Sequence, residues 1–590
     1  MVKQRWVVTA KRADFEAISK QFNIDPVMAR ILRNRDLLTS EDIERFLSGD
    51  MNSLRDPHLL KDIDKAALIL KEKIKEKKKI RIIGDYDVDG ICSTYILLKG
   101  LKVMGADVDT VIPHRIKDGY GLNDNLINSA HEDGIDTILT CDNGISAFSQ
   151  VELAKSLNMD VIITDHHEVP YEMDGDKKRY IVPDALAVVD PKQEDCKYPF
   201  KSICGAFVSF KLISIMLGGE HDEVIDELIP FAAMATVCDV MELLDENRVI
   251  VKEGIKRMSN PVNIGLKALC MVTGLKDKDI LSYHFGFVLG PTINATGRLD
   301  TAKRALELFS TDSFNEASII ATQLKELNDS RKAITEEGTQ KASEIIDNSS
   351  IKDDRVLVIY LEDTHESIAG IIAGRIKEKY YKPTIVLTEA EDGIKGSGRS
   401  IEDYDMYEEL TKVKHIFTKY GGHKMAAGVS LANKGDVETL RKLLNENCIL
   451  GEKELTKKLV IDVPMPLSYI NMNLVESFSM LEPCGVGNPK PMFATSNVSL
   501  LSYEKRGKQR VIGKLKVKDE AGRRFDMVYF DSLEDFDTFL IDNFGQEKFD
   551  ELLNGRCQDG DINIKLAYYP DINEYNNIRT IQIVMKYYDV

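Results

Sequence analysis

The sequence predicts an α/β protein of several domains: a parallel-sheet domain and a smaller α/β domain joined by a long helix, then a C-terminal β-barrel of the OB type. Three observations predict it. Between Lys79 and about Asp190, short β-branched runs alternate with helical stretches, the pattern of a parallel sheet with crossover helices. A long polar-apolar pattern without internal proline runs from Thr301 to about Asn348. After about Leu455, five strand-like segments follow one another, which fits a small barrel of the OB type, although a sandwich would read similarly.

At 590 residues the chain exceeds single-domain size, since domains run to roughly 100–200 residues. A helical N-terminal segment is expected over 1–75, the parallel-sheet domain over 76–300, the connecting helix over 301–349, the second α/β domain over 350–454 and the barrel over 455–590. In the first domain KKIRIIG, DVDTVIP, DTILTCD and DVIITDHH read as strands, with ICSTYILLKGLKVMG and SAFSQVELAKSLN as helices; residues from about 201 to 280 turn helical. The second α/β pattern runs from RVLVIYLED through PTIVLTEA to Gly-rich loops near 396 and 421. SNVSLLSY, RVIGKLKVKD, RRFDMVYF, DINIKLAYYP and IRTIQIVMKYY are the barrel strands.

Hydrophobic residues make up 43% and charged residues 29%, the balance of a globular protein. The start, Met1 to Trp6, lacks the apolar core of a signal peptide, and no stretch approaches the roughly 18 apolar residues of a membrane span, so a cytoplasmic protein with no membrane contact is expected. Nine cysteines without a C-x-x-C pair suggest reduced, mostly buried thiols. A net charge of -18 excludes non-specific adhesion to nucleic acid over the whole surface, because phosphate needs local positive potential. Two windows supply it: Lys71 to Arg81 holds seven Lys/Arg against two Glu, and Leu501 to Phe530 nine against four Asp/Glu. The first reads as a solvated helix end.

Chemistry gathers where strands end. Gly84-Asp85-Tyr86-Asp87-Val88-Asp89-Gly90 brings three carboxylates together, although a D-x-D there can also cap the next helix. The next strands end in Asp142-Asn143-Gly144 and in Asp165-His166-His167-Glu168, and Asp239 closes the apolar run from Ala233. In a parallel sheet the acids at the strand ends lie at one edge, where ligands bind. Carboxylates crowded together repel and protonate unless a cation neutralises them. Oxygen ligands with imidazole and no thiolate favour manganese or magnesium, histidine tilting the choice to manganese. A pair of such ions roughly 3.5–4 Å apart hydrolyses phosphoesters with activated water.

DYDVDG, CDNG, DHH and VCD, in this order, resemble the four motifs of the DHH phosphoesterase superfamily. Within it the whole chain is similar to the bacterial RecJ exonucleases. That resemblance implies two divalent ions, held by Asp87, Asp89, Asp142, His166 and Asp239, with Asp142 bridging. Asp85 is a further ligand or lies just behind them, and His167 faces the scissile phosphate. Ile83 stands where other DHH enzymes carry a histidine, which separates the chain from the pyrophosphatase-like members.

The same resemblance implies DNA or phosphate contacts at Asn294 and Arg298 in PTINATGR, at Ser397 and Arg399 in GSGRS, and at His423 in GGHKMAAG. The glycines there let backbone N–H groups approach an anion. Asn328, Arg331 and Lys332 resemble a family segment near that cleft, with Lys332 replacing a glutamine. In the barrel, Lys505, Arg506, Lys508, Arg510, Lys514 and Lys516 mix with Tyr503, Phe525, Tyr529 and Phe530, the composition of a platform for single strands.

The implied activity is 5′→3′ hydrolysis of single-stranded DNA to 5′-mononucleotides, in repair and recombination, by a monomer. No G-x-x-x-x-G-K-[ST] occurs, so a separate helicase is expected to supply single strands; the resemblance implies one of the RecQ type, with single-stranded-DNA-binding protein as a second partner. A DHH oligoribonuclease or cyclic-dinucleotide phosphodiesterase is the alternative of like chemistry, but needs no barrel. An inactive DHH scaffold in a replication assembly is the other, but should have lost acids that are all present.

Overall fold

A computed structural model describes residues 4–115, 119, 121–175, 177–299, 301–390, 393–507 and 511–590. The chain forms two compact units: residues 48–450 with 483–487, and residues 1–47 with 451–482 and 488–590.

In the larger unit the first sheet is all parallel, ordered Asp107–Val111, Lys79–Ile83, Thr137–Cys141, Asp160–Thr164 and Ala187–Val189. The middle three strands are β-branched and buried on both faces, as a sheet covered by helices requires. The last strand and the exposed hairpin of Tyr171–Asp174 with Lys177–Tyr180 were too short to stand out in the sequence. Helix Val88–Val103 is apolar nearly all round and is buried between the sheet and helices Gly205–Leu217 and Asp222–Cys238. Lys73 bridges Asp136 (2.5 Å) and Asp160 (2.6 Å), and Arg81 holds Asp109 (2.6 Å) and Asp133 (2.9 Å). Parts of the basic window 71–81 thus pair with acids on neighbouring strands and loops rather than being solvated.

The helix expected over 301–349 is two helices, Lys303–Ser310 and Phe314–Asp347. Thr311 turns extended, and the Ser313 hydroxyl accepts the Glu316 N–H to start the second, a cap that an uninterrupted apolar pattern conceals. The segments read as Gly-rich loops are strands. The second sheet runs Lys419–His423, Ala426–Leu431, Gly393–Arg399, Thr384–Ala390 and Leu357–Tyr360, with only the last two parallel. Glycine weakens a strand on propensity, yet a Cβ on Gly396 would lie 2.5 Å from Leu387 and one on Gly398 3.1 Å from Met406. Packing demands glycine there.

In the smaller unit, strands Phe493–Arg506, Ile512–Lys518, Arg524–Tyr529, Ile578–Asp589 and Asn563–Tyr575 pair in that order and close, the last onto the first. Helices Leu533–Phe544 and Gln546–Leu553, not expected from the sequence, interrupt the run of strands. Of the barrel aromatics, Tyr503 and Tyr529 are core while Phe530 is half exposed. Lys505 pairs with Asp537, Arg506 with Glu504 and Lys514 with Asp526. Lys508 and Arg510 lie outside the described residues.

The N-terminal stretch, expected to be helical, opens with strand Gln4–Val8, paired in parallel with Lys457–Ile461. Its QRWVV run suits a strand, but the partner comes from the far end of the chain. The buried Arg35 guanidinium bonds Asp462 and also the Pro489 carbonyl (2.9 Å), fastening the N-terminal helices to the barrel unit. No helix among the described residues is long and apolar enough to cross a membrane. The described cysteines are all free, most of them buried.

Removing one partner of a buried ion pair strands the other charge, which costs about 3–5 kcal/mol. Arg35→Ala is therefore expected to destabilise the smaller unit by about that much, read by urea denaturation from Trp6, the one tryptophan of the chain. A loss below about 1 kcal/mol, the worth of an exposed pair, would show that Asp462 does not depend on Arg35.

Candidate active site

From Lys79–Ile83 the chain passes to one neighbour, Asp107–Val111, and then back across to the other, Thr137–Cys141. The crevice beyond the carboxyl ends of the two strands where the winding reverses is where such sheets bind ligands. Loops 84–90 and 142–144 leave from there.

Three groups of His and Asp meet in this crevice, each with ligand atoms within 4.8 Å of one another: Asp85, Asp87 and Asp142; Asp89, His166 and Asp239; and Asp142, His166 and His167. His166 Nε2 lies 3.1 Å from Asp142, 3.5 Å from Asp89 and 3.6 Å from Asp239. Asp87 does cap the next helix, accepting the Gly90 N–H at 3.1 Å, and also joins the cluster. Both Asp89 oxygens accept N–H groups, from Gly205 and Ala206 at 2.7 Å, in the first turn of Gly205–Leu217. Asp142 is held in the left-handed region, φ 60°, at a cost of roughly 1–3 kcal/mol.

Burial drives the Asp85 and Asp142 carboxyls far above the ordinary carboxylate range, with neighbouring aspartates adding to it, and raises Asp89. Asp239 is pushed up to about 8 by burial and by the charges of Asp89 and Asp87. It also caps the C-terminus of helix Asp222–Cys238, the end that disfavours an anion. Asp85 Oδ1, Asp239 Oδ2 and both His166 ring nitrogens are buried with no hydrogen-bond partner among the described residues. Burial holds His166 below the usual histidine range, so it is a neutral donor. Orphaned carboxylate oxygens around a neutral imidazole, with no thiolate, are the donor set of manganese or magnesium. The residues present fit such ions.

The residues that build this cluster were partly missed in the sequence. Asp165 accepts N–H groups from Ile145 (2.9 Å) and His166 (2.7 Å) and bonds His167 Nδ1 at 2.7 Å. Burial opposes a charge on His167, but the Asp165 carboxylate outweighs it and raises the imidazole to about 9. Asn143 Nδ2 donates to the carbonyls of Ile83 (3.1 Å) and Cys141 (2.9 Å), tying the two strand ends together. A Cβ on Gly205 would lie 2.8 Å from Asp142 Cβ. Gly205 carried no motif; only the approach of its helix to Asp142 reveals it.

Beside the metal loop lies a cavity of about 450 Å³ whose walls include Arg115, Arg298, Lys395, Ser397, Arg399 and Lys419. Burial, together with the like charges of Arg115, Arg331 and Arg399, pulls Arg298 down to about 9. Such crowding of guanidinium groups calls for an anion. Gly421 and Gly428, paired across two strands, leave part of the wall bare. Arg115 stacks over Tyr86 at 4.9 Å, and a Cβ on Gly297 would lie 2.7 Å from the Tyr86 carbonyl, so the cavity abuts the loop carrying Asp85 and Asp87. Asn294 accepts the Val88 N–H at 3.1 Å and supports the loop. His423 is exposed at a strand end and does not line the cavity. Asn328 bonds Thr292 and Arg331, both at 3.1 Å, while Lys332 is exposed near Asp329.

Three domain families match along the chain: the DHH family N-terminal domain over residues 79–236, the DHHA1 domain over 353–449 and the RecJ OB domain over 461–587. Over 592 residues the chain is 33% identical to the single-stranded-DNA-specific exonuclease RecJ of Bacillus subtilis (strain 168), covering 99% of itself and 70% of that protein. The chain belongs to the RecJ family. The fold of RecJ from Thermus thermophilus, crystallised with Mn2+, matches 99% of this chain and 79% of that one, with a TM-score of 0.78 at 23% identity. A crystal structure of exonuclease RecJ bound to manganese matches 66% of this chain and 94% of that one, with a TM-score of 0.56 at 30% identity.

Groups that orient metal ligands typically matter 10–100-fold in affinity or activity. Gly205→Ala, which pushes a methyl into Asp142, is expected to lower manganese affinity and turnover by about that factor with unchanged circular dichroism. Wild-type turnover would show that Asp142 needs no such support.

Proposed function

We propose that the chain hydrolyses single-stranded DNA from its 5′ end, releasing 5′-mononucleotides, at a centre of two divalent ions, manganese before magnesium. The observation that carries this reading is the buried cluster of aspartates around neutral His166, whose orphaned oxygens need a cation. Membership of a family whose relatives are single-strand-specific exonucleases supports the substrate, and the manganese bound to a relative supports the ion. In this reading Asp87, Asp89, Asp142, His166 and Asp239 would hold the ions, Asp142 would serve both, and Asp85 would lie behind or among them.

Bound there, the ions supply Lewis acidity and water activated near neutral pH. The protein does the rest. Asp165 keeps His167 protonated and oriented, so that it can donate a hydrogen bond to a phosphate oxygen. Arg298, Arg399 and Ser397 hold the terminal phosphate in the adjoining cavity, with Arg115 between cavity and metal loop. A phosphate held at one point beside the cluster fixes which bond is cut, and this supports hydrolysis from a strand end. Asn294 and His423 act less directly, the first by bracing the metal loop.

The closed barrel, matched by the RecJ OB domain family, supports a long strand over a dinucleotide as substrate, because hydrolysis of a dinucleotide has no use for such a domain. In this reading the enzyme acts on DNA in the cytoplasm, in repair and recombination, as a monomer. A RecQ-type helicase supplies the strand and single-stranded-DNA-binding protein shares it.

The test is digestion of oligonucleotides labelled at either end, with manganese or with chelator. Label is expected first from the 5′ end, as mononucleotide, and only with the metal. Asp142→Ala is expected to leave a folded protein with turnover reduced more than about 100-fold, beyond the usual loss for a group that merely supports a ligand. First release from the 3′ end, or a tenth of wild-type turnover in Asp142→Ala, contradicts the reading.

A further inference from the structure

In the smaller unit, helix Leu533–Phe544 carries four acids, Glu534, Asp535, Asp537 and Asp542, and no basic residue. Leu533, Phe536 and Leu540 form its buried side. Asp535, Thr538, Phe539, Asp542 and Asn543 recur at the spacing of another face, and that face lines a cavity of about 330 Å³. The rest of the wall comes from two strands: Gln4 and Trp6 on one face of Gln4–Val8, and Tyr587 to Asp589 at the end of Ile578–Asp589. Phe539 and Tyr588 meet with ring centroids 4.6 Å apart, and Trp6 and Tyr587 pack against the cluster of Leu459, Ile461 and Ala567. The walls are aromatic and their charges negative, with no Lys or Arg among the described lining residues. Lys565, which does not line the cavity, pairs with Asp589 at 3.4 Å.

The polar groups of the wall are acceptors. Thr538 Oγ1 donates to the Glu534 carbonyl at 2.9 Å and Asn543 Nδ2 to the Phe539 carbonyl at 2.8 Å, which leaves their oxygens to accept. Gln4 Oε1 and the hydroxyl of Tyr588, a side chain 9% exposed, are buried with no hydrogen-bond partner among the described residues, a costly condition. Asp542 stands in the last turn of its helix, the end that disfavours an anion. A ligand that relieves all of this brings positive charge, several N–H donors and a flat face.

We propose that this cavity is a docking site for an arginine side chain of a basic protein segment. A guanidinium stacks on aromatic rings and presents five N–H donors in one plane, whereas an ammonium is a point charge with three. The volume lies at the lower end of the roughly 300–1,000 Å³ of ligand sites, which suits one inserted side chain. A peptide is favoured over a free cation by Gln4–Val8, which pairs only with Lys457–Ile461 among the described strands, so that its second edge is open to an added strand. The net charge of -18 steers a basic partner toward the protein. Because the same carboxylates repel phosphate, the site is separate from any path of DNA, and the inference does not rest on the nuclease reading.

Trp6, the one tryptophan of the chain, lies in the wall and reports occupancy by its fluorescence. Full-length protein in chelator is titrated with a short capped basic peptide bearing one central arginine. The same peptide with lysine or the neutral isostere citrulline at that position, and free arginine, are titrated alongside. The arginine peptide is expected to shift Trp6 emission to saturation, the lysine peptide to bind more weakly, and the citrulline peptide to bind roughly 10–100-fold more weakly, the worth of a hydrogen bond to a charged group. Asp542→Asn should weaken the arginine peptide by a similar factor, leave the citrulline peptide nearly unchanged and keep the circular dichroism of wild type. Glu336→Gln, at an exposed acid of the larger unit, should change nothing.

Equal affinity for the arginine and citrulline peptides, or equal losses of both in Asp542→Asn, would overturn the cation site. An equal loss in Glu336→Gln would reveal general attraction to an acidic protein and overturn it as well, as would Trp6 emission that no peptide moves. Equal binding of the lysine peptide would overturn the choice of arginine, and free arginine binding as tightly as the peptide would overturn the protein partner.

Discussion

Five aspartates drawn to one end of a parallel sheet repel one another, and the rest of the larger unit is arranged so that they stay there. Asp89 is held by the first turn of a helix, Asp142 by a left-handed backbone and by the absence of a side chain on Gly205, and Asp239 by the C-terminus of another helix. The helix start favours the Asp89 anion, whereas the left-handed backbone and the helix C-terminus are costly places for a carboxylate. Burial lifts Asp85, Asp142 and Asp239 toward the neutral form. A protein without a cation to bind has no reason to keep that arrangement, because functional sites are where stability is given up. The cluster therefore carries both the metal and the chemical class of reaction.

The cavity next to it has the opposite problem. Arg298, Arg399, Arg331 and Arg115 crowd positive charge as the aspartates crowd negative, and Tyr86 and Gly297 bring the two fields into contact. A phosphodiester strand answers both, offering phosphate oxygens to the guanidinium groups and to the ions. Positive charge is local in a chain with a net charge of -18, and this cavity is one of the places that concentrate it.

Much of this was legible in the sequence, and for physical reasons. Strand ends in a parallel sheet share an edge, so acids at the ends of RIIG, ILTC and IIT had to converge, and the order of the motifs identified the family. Five C-terminal strands were readable, but their number fits a sandwich as well as a barrel, and it is the pairing of the last strand onto the first that closes them. What was hidden depends on distant partners or on close packing. Gln4–Val8 finds its strand at Lys457–Ile461. The glycines of Gly393–Arg399 looked like turns because propensity cannot show that Leu387 and Met406 leave no room for a Cβ. Asp165, Asn143 and Gly205 act through other residues, so no ligand pattern includes them.

The central claim is that mutual repulsion in the cluster is offset by a bound cation. Thermal unfolding of wild type and Asp239→Asn, each in chelator and in manganese, tests it most directly. Neutralising one carboxylate should leave the metal-free variant as stable as wild type or more so. Manganese at about 100 times its dissociation constant adds about 2.7 kcal/mol to a protein that binds it only when folded. Wild type should therefore gain a few degrees in manganese, and the variant much less. A variant clearly less stable than wild type in chelator, with no effect of manganese on either, would contradict the account.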